Sequence, residues 1–153
     1  MVEVVTEIYI DAPIEICFDL ARDIDIHTKT VWKHTREKAV EGVTSGLIQK
    51  GELVTFEATH FGVRQRLTSK ITEMDIPFFF VDETQKGAFK ALRHEHHFEK
   101  RDSGTLMTDV LRFEAPLGML GWITERLILK RYMRKFLDHR NKQLKLWAEQ
   151  PEG

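Results

Sequence analysis

Residues 91–114, ALRHEHHFEKRDSGTLMTDVLRFE, contain two runs of alternating apolar and polar residues on either side of the turn sequence Arg101-Asp102-Ser103-Gly104. A period of two residues is typical of β-strands, because successive side chains point to opposite faces of a sheet. We therefore predict an antiparallel hairpin with strands near 90–100 and 105–115.

The register of this hairpin predicts which side chains share a face. If residues 101–104 form a four-residue loop, Lys100 pairs with Thr105. One face then carries charged residues suited to solvent, and the other carries mostly apolar residues with a few buried polar groups. The pairs on this inward face are Phe98 with Met107, His96 with Asp109, His94 with Leu111, and Leu92 with Phe113.

A second hairpin, with a two-residue Phe61-Gly62 turn, has a similar inward face. The following strand adds one aromatic ring, either Phe78 or Phe80. Large apolar side chains around a few polar groups are typical of a pocket for an apolar molecule with a polar end. The inward residues of this hairpin are Val54, Phe56, Ala58 and His60 on one strand and Val63, Gln65, Leu67, Ser69 and Ile71 on the other.

The remaining segments complete an α+β architecture. Residues 2–10 predict a strand, Asp11-Ala12-Pro13 predicts a helix start, and an apolar stripe at helical spacing then consists of Ile14, Cys17, Phe18 and Ala21. A second short helix is predicted at 23–29, further strands near 36–43, 51–61, 63–74 and 78–85, and a long helix after Pro116. We expect a curved antiparallel sheet of about seven strands wrapped around the C-terminal helix, with two short helices after the first strand.

Composition and charge limit the classes of protein that this chain can be. Its 153 residues fit a single domain, 1–153, because one core is commonly built from roughly 100 to 150 residues. The 23 Lys and Arg nearly cancel the 24 Asp and Glu, which predicts no DNA partner. The single cysteine, Cys17, excludes a disulfide framework and a cysteine-rich zinc site. No export signal or membrane span is evident, so we expect a soluble, cytoplasmic protein.

The sequence resembles the START-related SRPBCC superfamily over nearly its whole length. The segments that carry the resemblance are residues 11–20, 61–63, 68–77, 80–89, 94–98 and 108–121. The superfamily includes lipid-transfer domains, polyketide cyclases and coenzyme Q-binding proteins. The resemblance implies the helix-grip fold and a hydrophobic internal cavity, and it supplies no catalytic motif that can be transferred residue by residue.

The function that we predict from these features is binding of a hydrophobic small molecule, for transport or sequestration. A lipid, an isoprenoid or quinone, and an aromatic polyketide are the candidate ligands. Met119, Leu120 and Trp122 lie in a Gly-containing segment where they could gate the cavity. The predicted ligand-binding residues are Phe56, His60, Gln65, Leu67, Phe80, His94, His96, Phe98, Met107, Asp109, Leu111, Phe113 and Leu120.

The inward polar residues allow two further interpretations. His96 could act as a general base oriented by Asp109, in a cyclase-, dehydratase- or hydrolase-like enzyme. His94, His96 and Asp109 could instead provide three metal ligands, but no fourth ligand is evident. The same residues are also explained by a buried hydrogen-bonded His–carboxylate pair, which needs neither catalysis nor a metal. We predict no metal and no cofactor.

The predicted C-terminal helix is locally basic although the chain is nearly neutral. Between residues 126 and 145 its only acidic residue is Asp138. This stripe could dock on a membrane surface or a ribosome as a regulatory module, although such a stripe is more often the solvated face of a helix and we do not favour docking. The basic residues are Arg126, Lys130, Arg131, Arg134, Lys135, Arg140, Lys142 and Lys145.

Overall fold

The computed structural model describes residues 1–114 and 122–150, and for residues 122–125 it describes the backbone only. The helices are α1 (Ile14–Arg22), α2 (Ile24–Thr30) and α3 (Trp122–Ala148), and a single 3₁₀ turn covers Lys33–Thr35. The strands are β1 (Val2–Ile10), β2 (Lys38–Gly42), β3 (Leu53–His60), β4 (Val63–Asp75), β5 (Phe79–Lys86), β6 (Ala91–Arg101) and β7 (Gly104–Glu114).

The seven strands form one antiparallel sheet in the order β1-β7-β6-β5-β4-β3-β2. Strands β2 to β7 lie side by side in the order in which they follow one another along the chain. Strand β1 is the exception, because it pairs with the last strand, β7, and not with β2. Helix α3 packs against β1, α1 and α2 on the inward side of this sheet. The predicted α+β architecture is therefore confirmed.

The register of the two predicted hairpins is also confirmed. His96 lies opposite Asp109 in the β6–β7 pair, and His60 lies opposite Val63 across the turn between β3 and β4. The loop between β6 and β7 is shorter than the four residues predicted, because Arg101 still pairs with Gly104. Asp102 occupies this two-residue turn with a φ of 54°, a left-handed conformation that aspartate tolerates better than most residues.

Helix α1 packs on one part of the inward face of the sheet, and this part is hydrophobic core. Phe18 contacts Phe80 and Phe98 edge-on, with ring centroids 5.5 and 5.3 Å apart respectively. Cys17 is buried on the same helix face, as the apolar stripe predicts.

No helix within residues 1–114 and 122–150 is long and apolar enough to cross a membrane.

Candidate functional site

A cavity of about 490 Å³ lies between the sheet and α3. Its size falls in the range of about 300 to 1,000 Å³ that is usual for small-molecule sites. Eight of the thirteen residues predicted from the sequence line it: Phe56, His60, Gln65, Leu67, Phe80, His94, His96 and Leu111. The choice between Phe78, which precedes β5, and Phe80 of β5 is also settled, since Phe80 lines the cavity and Phe78 is exposed.

Four of the predicted residues point inward but do not line the cavity. Phe98 and Met107 belong to the core under α1, and Phe113 packs against Phe89 with ring centroids 5.4 Å apart. Asp109 is wholly buried behind the cavity wall. Register predicts the face of a side chain, but not whether another element covers it. Leu120 and the rest of the predicted gate lie outside the described residues or, for Trp122, outside the described side chains.

Two imidazoles and two carboxylates form a group at one wall of the cavity, which we call the polar cluster: Asp82, His94, His96 and, behind the wall, Asp109. Strands β5, β6 and β7 bring them together, because Asp82 pairs with His94 and Asp109 pairs with His96 in the ladder. The two imidazole rings stack with centroids 3.7 Å apart and planes inclined by 26°. Each ring hydrogen-bonds diagonally to a carboxylate.

The partner of His96 is not the one that the sequence predicts. His96 Nε2 lies 2.7 Å from Asp82 Oδ2, and His94 Nε2 lies 2.7 Å from Asp109 Oδ1. His96 Nδ1 is 3.4 Å from Asp109 and has no hydrogen-bond partner among the described atoms. Side chains in a strand lean along its direction, so each imidazole reaches past its opposite residue. The predicted pair of His96 oriented by Asp109 is therefore wrong.

Asp109 is held by three elements at once. Its Oδ1 contacts His94 of β6. Its other oxygen, Oδ2, accepts hydrogen bonds from Asn141 Nδ2 of α3 at 3.0 Å and from Thr6 Oγ1 of β1 at 3.4 Å. Burial opposes ionisation, but the hydrogen bond from His94 and the nearby charge of Arg140 outweigh it and hold the pKa of Asp109 well below its usual range. The carboxylate is thus an ionised structural anchor.

His96 is a neutral imidazole. Burial disfavours the imidazolium, His94 adds to this effect, and together they lower the pKa of His96 to about 4 despite Asp82 and Asp109. At neutral pH His96 therefore donates its Nε2–H to Asp82. Burial raises the pKa of Asp82, but this hydrogen bond and the neighbouring imidazoles outweigh it and lower the pKa below its ordinary value.

The four groups differ in how far they reach the cavity. The side chain of Asp82 is 20% exposed and that of His94 is 11% exposed, whereas His96 and Asp109 are at 4% and 0%. Because Asp82 lines the cavity, its accessible surface faces the cavity. A bound molecule would therefore meet the Asp82 carboxylate and the edge of His94.

Asp82, His94 and His96 are also close enough together to be considered as metal ligands. Their arrangement does not suit one ion. The lone pairs of two imidazoles lie in the planes of their rings, and rings stacked at 3.7 Å with a 26° inclination do not aim at a common point about 2.0 to 2.1 Å away. The ligand nitrogen of His96 is, moreover, hydrogen-bonded to Asp82. The geometry is that of a hydrogen-bonded cluster.

Solved structures share this arrangement of sheet and long helix. A protein of Thermus thermophilus superimposes with a TM-score of 0.75 at 21% identity, covering 97% of this chain and 100% of that one. A START superfamily protein of Mycobacterium smegmatis gives a TM-score of 0.74 at 14% identity, with 96% and 97% covered. This chain has the START-type helix-grip fold. Major latex-like protein 151 of Panax ginseng shares it, with a TM-score of 0.69, 13% identity, and 97% and 98% covered.

No family model and no curated protein matches the sequence. The helix-grip fold carries many functions, so its presence leaves the function to be argued from the cavity itself.

The mouth of the helix-grip cavity is marked by the lining residues that are exposed: Phe61, Arg66, Ala88 and Ile128. They belong to the β3–β4 turn, β4, the β5–β6 loop and the first part of α3. Next to this mouth, Tyr132 Oη and His60 Nδ1 lie 2.5 Å apart, and the Tyr132 ring contacts Phe61 at 4.5 Å. Burial lowers the pKa of His60 and raises that of Tyr132, so the tyrosine hydroxyl donates to the neutral imidazole.

Several residues of the cavity wall were missed by sequence reasoning: Asp82, His27, Glu37, Tyr132 and Arg140. Asp82 could have been found, because it lies two positions after Phe80 on the same strand face. His27 and Glu37 form a second pair at the wall, with Nδ1 and Oε1 2.6 Å apart, and the His27 ring stacks on Phe56. They carry no pattern that distinguishes them from surface residues.

Several basic side chains of α3 form hydrogen bonds within the helix-grip domain. Arg126 donates to the Met1 carbonyl, Arg134 to the Val5 carbonyl and Lys145 to the Tyr9 carbonyl. Arg140 is buried and donates to the Ala21 carbonyl at 2.9 Å. At least four of these eight basic residues therefore hydrogen-bond to backbone carbonyls in the described part of the chain. Docking of this helix to a membrane or ribosome stays a prediction.

Proposed function

We propose that this protein binds an apolar small molecule in the cavity between its sheet and α3, for transport or sequestration. The observation that carries the proposal is the lining: aromatic and aliphatic side chains from both the strands and the helices surround a small number of polar groups. Burial of apolar ligand surface supplies about 25 cal/mol per Å², and the polar cluster then selects the orientation. A lipid, an isoprenoid or quinone, and an aromatic polyketide are all of this class.

Binding of a neutral fluorescent dye, N-phenyl-1-naphthylamine, tests this proposal. We expect saturable enhancement of its fluorescence with the wild-type protein. Replacing Ala58 with phenylalanine should weaken dye binding at least tenfold, because Ala58 is buried on the cavity floor and the larger ring occupies ligand space.

Thr59→Phe is the matched control, because Thr59 is the next residue on β3 and points to the opposite face, where it contacts Arg64. This variant should bind the dye as the wild type does. Absence of dye binding to the wild type, or equal weakening in both variants, would contradict a cavity site. Native mass spectrometry of freshly purified protein would identify any molecule that copurifies.

Acid–base catalysis is the second candidate function, and the geometry of His94 supports it better than that of His96. Asp109 orients His94 through Nε2, and Asn141 and Thr6 fix Asp109 in turn. The edge of the His94 ring faces the cavity. An imidazole held in this way resembles the base of a catalytic triad, but a nucleophile or substrate beside it is needed before an activity can be assigned. Ligand binding needs no further group, so we favour it.

A further inference from the structure

The polar wall of the cavity presents an acceptor rather than a donor. The Asp82 carboxylate is the most accessible charged group of the polar cluster, and one of its oxygens already accepts a hydrogen bond from His96 at 2.7 Å. A carboxylate has several lone pairs, so it can accept further hydrogen bonds from a molecule in the cavity.

The neighbouring nitrogen groups do not offer a matching donor site for an anion. Nε2 of His94 is bound to Asp109, and its Nδ1 lies 3.9 Å from the same Asp82 oxygen, so an anion there would stand beside a carboxylate. Arg140 contributes to the wall but is only 2% exposed, and its Nε is enclosed by protein. Its guanidinium is therefore largely covered by protein, although the residue lines the cavity.

The balance of charge around Asp82 points the same way. The charged or titratable groups that act on it or on Arg140 are His94 and His96 of β6, Asp109 of β7, His27 of α2, and Glu37. Among these described residues, three carboxylates stand against one guanidinium and three imidazoles, of which His96 is neutral. An anionic ligand would add another negative charge in a setting of low dielectric, where repulsion is strong.

We infer that the ligand ends in a hydrogen-bond donor, a hydroxyl or an ammonium group, that donates to the Asp82 carboxylate, and that molecules ending in a carboxylate are rejected. This inference rests on the proposed function, since it names the polar end of the molecule bound in that cavity. It separates alcohols, phenols and amines with apolar bodies from fatty acids of the same length.

Three compounds with the same chain test the inference: decylamine, 1-decanol and decanoate, each used to displace N-phenyl-1-naphthylamine from the wild-type protein at neutral pH. We expect decylamine and decanol to displace the dye and decanoate to bind at least tenfold more weakly than either. Decanoate binding as tightly as decanol would overturn the inference. If the dye binds and no decyl compound displaces it, the inference fails while the proposed function stands. If the dye itself does not bind, both fail.

The Asp82→Asn variant assigns the preference to one residue. The amide keeps the shape of the carboxylate and its oxygen can still accept from His96, so the fold should be retained. We expect decylamine to bind at least tenfold more weakly and the gap to decanoate to narrow. Asp102→Asn, in the β6–β7 turn, removes the same charge far from the cavity and should leave all three affinities unchanged. Unchanged selectivity in Asp82→Asn would overturn the role of Asp82, and the wild-type comparison is decisive even if this variant does not fold.

Discussion

Replacing Asp109 with alanine is expected to lower the free energy of unfolding by about 3 to 5 kcal/mol, because removing one partner of a buried ionic cluster leaves the others unpaired. His94 Nε2, Asn141 Nδ2 and Thr6 Oγ1 all donate to this carboxylate, and Asn141 and Thr6 are too deeply buried for water to replace it. The nearby Arg140 also loses the charge that compensates its burial. Urea unfolding at neutral pH measures the loss.

The matched control for this variant is Asp138→Ala, on the exposed face of α3. The same chemical change there should alter the free energy of unfolding by no more than about 0.5 kcal/mol. If Asp109→Ala were as stable as this control, Asp109 would not be the structural anchor of the polar cluster.

Acidification is expected to destabilise the protein through His96. The pKa of His96 is about 4 in the folded protein against an ordinary value of 6.5, so the unfolded chain binds a proton across this window that the folded protein does not. Stability is therefore complete above pH 6.5 and is lost as the pH falls toward 4. Between pH 7 and about pH 4.5 the loss from His96 amounts to about 2 to 3 kcal/mol.

Neighbouring groups do not reverse this sign. Asp82 and Asp109 have lowered pKa values, so their contribution is lost only at more acidic pH, below their ordinary value of 3.8. The lowered pKa of His60 acts in the same direction as that of His96.

Urea unfolding at several pH values checks this prediction. The His96→Gln variant should lose most of the slope between pH 6.5 and about pH 4.5, because glutamine does not titrate. His97→Gln is the control, since His97 is the next residue on β6 and is 44% exposed on the opposite face. A wild-type slope in His96→Gln would show that His96 is not the group that resists protonation.

The parts of the site that lie on one hairpin could be predicted from the sequence. Alternation along residues 91–114 and a short turn are sufficient to set His96 opposite Asp109, because a slip of one residue would turn the apolar set toward solvent. The same reasoning placed Phe56 and Leu67 on the cavity side of β3 and β4.

The parts that depend on packing between elements could not be predicted. Hydrogen bonding in the polar cluster is diagonal, so it depends on how far each imidazole leans along its strand. Asn141 and Arg140 face the cluster because α3 is rotated about its axis by a particular angle. Helical periodicity predicts an apolar stripe on α3, but it does not predict this angle. Phe98 faces inward as predicted, yet α1 covers it with Phe18.

The three-element attachment of Asp109 also determines when a binding-competent cavity can arise during synthesis. Thr6 and Asn141, which both donate to Asp109, are 135 positions apart and contact each other directly. Contacts between such distant positions form late, because the entropy of closing the intervening loop is lost before they stabilise the chain. A nascent chain that ends before Asn141 can pair its middle strands but lacks the α3 contact that holds Asp109. The complete cavity, with α3 as one of its walls, therefore forms only after α3 has emerged from the ribosome.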